Sequence, residues 1–175
     1  MIDNKTYNNV INTLKNLGDN HHQISTTKTG DIYDIDMNNT LFPLFHINPV
    51  SVATAPSELT YNFQLFIMDA VTEKENWKES NIQSADYLSN EQEVLSQCLQ
   101  IAVDIISMMR HSKWQAAGEL AIDNASYFAE GEFNLEPFSE RFDNLLTGWV
   151  FTIGITVEND FNACVIPMAN IPIGE

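Results

Sequence analysis

The sequence predicts an α+β domain, a mostly antiparallel β-sheet with two α-helices packed on one face. Two alternating stretches predict the sheet. Leu59, Tyr61, Phe63, Leu65 and Ile67 share one parity, and Thr60, Asn62 and Gln64 share the other. That period of two marks a strand with one buried face. Thr147, Trp149, Phe151, Ile153, Ile155 and Val157 repeat the pattern, with Val150, Thr152, Gly154 and Thr156 between them. Two helically spaced segments, residues 3–17 and about 89–111, supply the helices.

The first helix carries Tyr7, Val10, Ile11, Leu14 and Leu17 on one stripe. Asp3 or Asn4 can cap its start, and Gly18 is placed to end it. A short strand is expected from Gln23 to Thr29, where Ile and Thr are frequent. Gly30 and Asp31 signal a turn. Residues 41–53 read as extended, and Pro43 and Pro49 point to an edge strand or a bulged one. The turn at Ala55, Pro56 and Ser57 feeds directly into the 59–69 strand, so the two should pair as a hairpin. That strand is long, roughly 35 Å at ~3.3 Å per residue.

Residues 72–87 are polar and read as an exposed loop excursion within a single domain spanning residues 1–175. The second helix follows. Ser89 with Gln92, or Asn90 with Glu93, has capping-box spacing. Acidic residues in its first turn and Arg110, His111 and Lys113 at its end match the helix dipole. Its apolar surface, from Val94 to Met109, is wider than one sheet face needs, which implies burial on two sides. Further short strands are expected at residues 119–122, 133–138 and 162–167, with a bend at residues 141–144.

Twenty-four acidic residues face eight basic ones, a net charge of −16. Such a chain repels nucleic acid phosphates and anionic membrane surfaces. No apolar run is long enough to span a bilayer, and the N-terminus lacks the apolar core of a signal peptide. Cys98 and Cys164 lie in apolar segments and read as buried free thiols, in keeping with a reducing compartment.

The residues of known chemistries do not assemble. His21 and His22 sit on a polar loop, where adjacent residues rarely share one metal ion. Asp34, Asp36 and Asn38 match positions 1, 3 and 5 of a calcium loop, but Asn39 replaces its glycine and Phe45 its final glutamate. Asp31, Asp34 and Asp36 therefore read as a solvated strand edge or a contact patch. There is no nucleophile elbow, phosphate-binding glycine loop or acid–base pair of carboxylates. The aromatics lack the interleaved Lys and Arg of a nucleic-acid platform. No enzyme, cofactor or metal site is expected.

Several strings do point to a family. They are residues 30–36 (GDIYDID), 41–47 (LFPLFHI), 59–69 (LTYNFQLFIMD), 89–95 (SNEQEVL), 140–144 (ERFDN) and 148–149 (GW). In these and in element order the chain resembles the small head-to-tail joining and tail-terminator proteins of tailed bacteriophages. It looks closest to versions from phages of Bacteroidetes, including crAss-like phages. The resemblance implies a ring, commonly of six or twelve copies, in the neck or at the end of the tail tube. Such a ring contacts neighbouring neck or tail proteins and lets genomic DNA through without binding it specifically. It implies a place in the virion, assembled in the bacterial host cytoplasm, with no cofactor and no membrane partner.

On this reading the candidate inter-subunit or lumen contacts are Asp31, Asp34, Asp36, Trp77, Ile105 and Met109. An acidic lining would suit a channel that must not hold DNA. The alternative is an acidic α+β binding module, such as an inhibitor or chaperone whose charge mimics nucleic acid. A third reading, a small enzyme using carboxylates and a metal, has the least in the sequence to carry it.

Overall fold

The structure is a computed structural model and describes residues 7–36, 39–72, 90–110, 128–129, 132–141 and 145–158. Its elements are α1 (Tyr7–Asp19), β1 (Thr26–Thr29), a 3-10 turn (Ile32–Asp34), β2 (Leu44–Ala55), β3 (Glu58–Ala70), α2 (Glu91–Arg110), β4 (Phe128–Ala129), β5 (Glu136–Arg141) and β6 (Leu145–Glu158). The fold is α+β, as the alternation predicts. Six strands form one sheet in the order β1-β2-β3-β6, with β4 and β5 both on the outer edge of β6. Among the described residues only β1 with β2 is parallel, and the other pairings are antiparallel.

β3 is the central strand. It pairs along its whole length with β6, from Glu58 opposite Glu158 to Ala70 opposite Leu146. Its other edge pairs with β2 through a two-residue turn at Pro56 and Ser57. The period of two then sorts its side chains between two layers. Tyr61, Phe63, Leu65 and Ile67 join the larger core, and Phe66 and Met68 join a smaller one on the opposite face.

Both helices cover the larger core. α1 contributes Val10, Ile11 and Leu14, and α2 contributes Val94, Cys98, Ile101, Ala102, Ile105, Ile106 and Met109. The smaller core is roofed by the connection between β1 and β2. Ile32 from the 3-10 turn is buried there with Leu44, Phe66, Met68 and Leu146, and Phe138 of β5 closes one side. Lys28 Nζ donates to Thr40 Oγ1, and the Thr40 hydroxyl donates to the Asp36 carbonyl, holding this roof down.

Several expectations are corrected. Gly18 does not end α1; it lies one residue inside the helix, where a Cβ would come within 2.4 Å of Thr27 Oγ1 and 2.5 Å of Phe45 Cδ1. Its role is close packing of α1 on the sheet. β1 begins at Thr26, not Gln23. Residues 31–36 are not a strand edge, because the Asp31 carboxylate caps a 3-10 turn by accepting from the Tyr33 N–H at 3.0 Å. The strand expected over residues 133–138 runs instead from Glu136 to Arg141. Phe133 lies outside it, edge-on to Phe151 and beneath the Arg110 guanidinium.

Asn90 precedes α2 and its carbonyl accepts the Val94 N–H, yet its side-chain oxygen accepts from the Thr72 N–H at 2.8 Å. That cap ties the start of α2 to the end of β3. The strands expected at residues 119–122 and 162–167, most of the excursion at 72–87, and Cys164 lie outside the described residues.

Candidate assembly surface

The feature with most bearing on function is the far end of the β2–β3 hairpin. From Pro49 to Glu58 every residue is exposed. Val50 and Val52 keep 59% and 50% of their accessible surface. The reason lies in the lengths of neighbouring elements. β1 pairs only with residues 44–47 of β2, and its last bond to that strand runs from the Gly30 N–H to the Ile47 carbonyl at 3.1 Å. Beyond it, the outer edge of residues 48–55 has no strand beside it among the described residues.

Proline helps to end the pairing. Pro49 has no N–H to donate and falls just past the last β1 partner. The register between β2 and β3 also shifts between Pro49 and Ser51, leaving Val50 as the extra residue of a bulge. The sequence-based choice between an edge strand and a bulged strand therefore resolves into both at one place.

The β2 side of this end carries no charged residue up to the turn. Residues 37–57 contain no Asp, Glu, Lys or Arg, in a chain of net charge −16. The sheet face beside it is polar but neutral. Thr60 and Thr156 hydroxyls are 3.0 Å apart, and Asn62 Nδ2 donates to Ser51 Oγ at 3.1 Å. On the opposite face Tyr7 of α1 lies against Tyr61 and Phe63, with ring centroids 6.2 Å and 6.4 Å away. Glu58, next to the hairpin turn, is the first charged residue after this run, and its register partner on β6 is Glu158.

The contacts expected from sequence fall elsewhere. Ile105 and Met109 are 1% and 2% exposed and pack in the chain's own core, so their side chains do not form an outer surface. α2 turns Leu99, Val103 and Met108 outward instead, which accounts for the excess apolar width read from the sequence. Asp31, Asp34 and Asp36 are exposed on and beside the 3-10 turn, with Tyr33 75% exposed between them. Two of these carboxylates serve local structure: Asp31 caps the turn, and Asp36, beyond it, accepts from Asn39 Nδ2 at 2.7 Å. No group of three His, Cys, Asp or Glu able to hold a metal ion occurs among the described residues. Trp77 lies outside them.

Among the described residues, the titratable groups with displaced pKa values are His46, Asp69 and Cys98, which are buried or half-buried. His46 is 2% exposed, donates through Nε2 to the Gly30 carbonyl at 2.9 Å, and leaves Nδ1 buried without a partner. Burial lowers its pKa below 6.5. Burial raises the pKa of Asp69, opposed by the bond from the Ala70 N–H. The Cys98 thiol is pushed up to about 12 by burial and by the nearby Asp69 charge, so it stays protonated and unreactive at neutral pH. His21 Nε2 lies 3.4 Å from Asp104 Oδ2, joining the loop after α1 to α2.

No family model matches the chain. No curated protein matches it either. No described helix is long and apolar enough to cross a membrane.

The neutral arm went unread in the sequence, although a signal was there. The charge-free run of residues 37–57 is visible without a structure, but its meaning depends on where β1 stops.

Proposed function

We propose that this chain is a structural, non-enzymatic subunit of a tailed-bacteriophage particle. It assembles as a ring of six or twelve copies in the neck or at the end of the tail, as a head–tail connector or tail terminator. The ring joins neighbouring neck and tail proteins and lets genomic DNA pass. The subunit belongs to the virion and is assembled in the bacterial host cytoplasm. The resemblance noted in the sequence motivates this reading.

The observation that carries it is the neutral, projecting β2–β3 arm on a strongly acidic chain. Copies of net charge −16 repel one another, so a contact between them is least opposed where the surface carries no charge. The remaining acidic surface suits a passage that must not retain DNA, because phosphate binding depends on Lys and Arg.

Negative-stain electron microscopy of the purified protein tests this directly. Closed rings with a central opening are expected. Uniform particles of single-copy size at every concentration would overturn the ring. A second reading, an acidic module that binds a basic partner, draws on the exposed Asp31, Tyr33 and Asp34 of the 3-10 turn. It predicts those single-copy particles.

A further inference from the structure

We infer that residues 48–55 of β2 are a strand-pairing edge for a second copy of this chain, which lays its own residues 48–55 antiparallel against them.

An open strand edge presents unpaired backbone N–H and C=O groups and templates the addition of another strand. Folded proteins blunt such edges with charge, proline or a cover. The other outer edges of this sheet are blunted in that way. β5 carries Glu136 and Pro137, β1 carries Lys28 and is only four residues long, and β4 has two residues. β2 beyond Ile47 carries no charge and no cover among the described residues, and its single proline sits at the start of the open stretch.

The occupant follows from charge. A partner copy brings a net charge of −16 to the contact. Its approach is least opposed where both surfaces are neutral, and residues 48–55 are the neutral edge that both copies own. Two such edges meet about a twofold axis, in which each strand is both donor and acceptor and the contact closes on itself. Val52, half exposed and directly opposite Tyr61 in the ladder, then sits at the junction. Val50, displaced outward by the bulge, flanks it. The edge is smaller than a standard interface of about 800 Å² per partner, so the pairing is concentration-dependent.

The inference does not depend on the ring, whose head-to-tail contacts would need a further surface besides this self-closing pair. The experiment is mass in solution by light scattering at low and high salt, for the full chain and for Val52→Lys. Amide hydrogen exchange of residues 48–55 is followed at two protein concentrations.

Three results are expected. Association strengthens as salt rises, because screening weakens the repulsion between acidic copies. Val52→Lys weakens association at least tenfold although it lowers the net negative charge, because two lysines then face each other across the new pair. Its melting temperature is unchanged, because the side chain is half exposed. Exchange at residues 48–55 slows as concentration rises.

A parent chain that forms pairs and nothing larger supports the edge and overturns the ring. Assemblies whose mass Val52→Lys leaves unaltered overturn the edge and leave the ring standing. A parent chain of single-copy mass under all conditions overturns both.

Discussion

The indole Nε1–H of Trp149 on β6 donates to the backbone carbonyl of Leu95 on α2, at 2.8 Å. The two residues are 54 positions apart, and the bond fixes how far along the sheet α2 can slide. Hydrophobic packing alone is tolerant of sliding, whereas a directed bond to one carbonyl is not. Trp149→Phe keeps the aromatic bulk and deletes the donor. It should cost about 1 kcal/mol, read as a fall of about 2–4 °C in melting temperature.

Gly148 sits one residue before that tryptophan, opposite Met68 of β3. A Cβ there would lie 1.9 Å from the Ile67 carbonyl oxygen and 2.7 Å from Met68 Cα. These are backbone atoms of the central strand and cannot rotate aside. Gly148→Ala should destabilise by about 3 kcal/mol or more, measured by urea unfolding. Gly18→Ala meets side-chain atoms of Thr27 and Phe45 instead, and should cost less.

Ile105 belongs to the core and not to an outer surface. Ile105→Asp places a carboxylate among Ile101, Phe63 and Phe151 in a cluster of buried apolar residues. A loss of at least about 3 kcal/mol is expected. Circular dichroism should show it as a lost or greatly lowered unfolding transition, whatever the state of assembly. Val103→Asp, at an outward position on the same helix, should leave that transition within about 1 kcal/mol of the parent.

His46 makes stability depend on pH. Its Nε2–H is used by the Gly30 carbonyl, so a second proton would go to the buried Nδ1, which has no acceptor. Burial and the nearby Lys28 charge both lower its pKa, while the bond to Gly30 and the charge of Asp31 oppose them. In the unfolded chain the imidazole takes up its proton near pH 6.5, and in the folded chain only at lower pH. The unfolded state therefore binds more protons between those values, and stability falls as pH drops below about 6.5. His46→Gln, which keeps a donor but does not titrate, should flatten the melting-temperature profile between pH 7 and pH 5.

Asp69 acts in the opposite sense. Burial raises its folded pKa above 3.8, so ionising it disfavours the folded state. Its contribution improves as pH falls through the raised value towards 3.8. Asp69→Asn, which can still accept the Ala70 N–H, should raise the melting temperature at pH 7 and have little effect near pH 3.5.

Much of the fold was legible because it rests on period. Alternation over residues 59–67 and 147–157 located β3 and β6, and helical spacing located α1 and the buried stripe of α2. The proline positions announced both the bulge and the open edge. Local cues failed where tertiary packing reassigned them. Gly18 looked like a helix terminator but serves a close approach to Phe45. The acidic residues of 31–36 read as a solvated strand edge or a contact patch, but residues 32–34 form a capped 3-10 turn that buries Ile32 in the smaller core. The second buried side expected of α2 is not seen among the described residues, where Leu99, Val103 and Met108 are exposed, and Ile105 and Met109 pack in the core and not at a contact surface. Composition along one helix does not say which side meets the sheet. The neutral arm depends on where β1 ends, a tertiary fact that the charge-free run by itself does not reveal.

The central claim is that this acidic chain assembles with copies of itself. It is tested most directly by its mass in solution, measured by light scattering across a concentration series in moderate salt. The account predicts a species of six or twelve copies of the 19.8 kDa chain. A constant mass of 19.8 kDa at every concentration would contradict it.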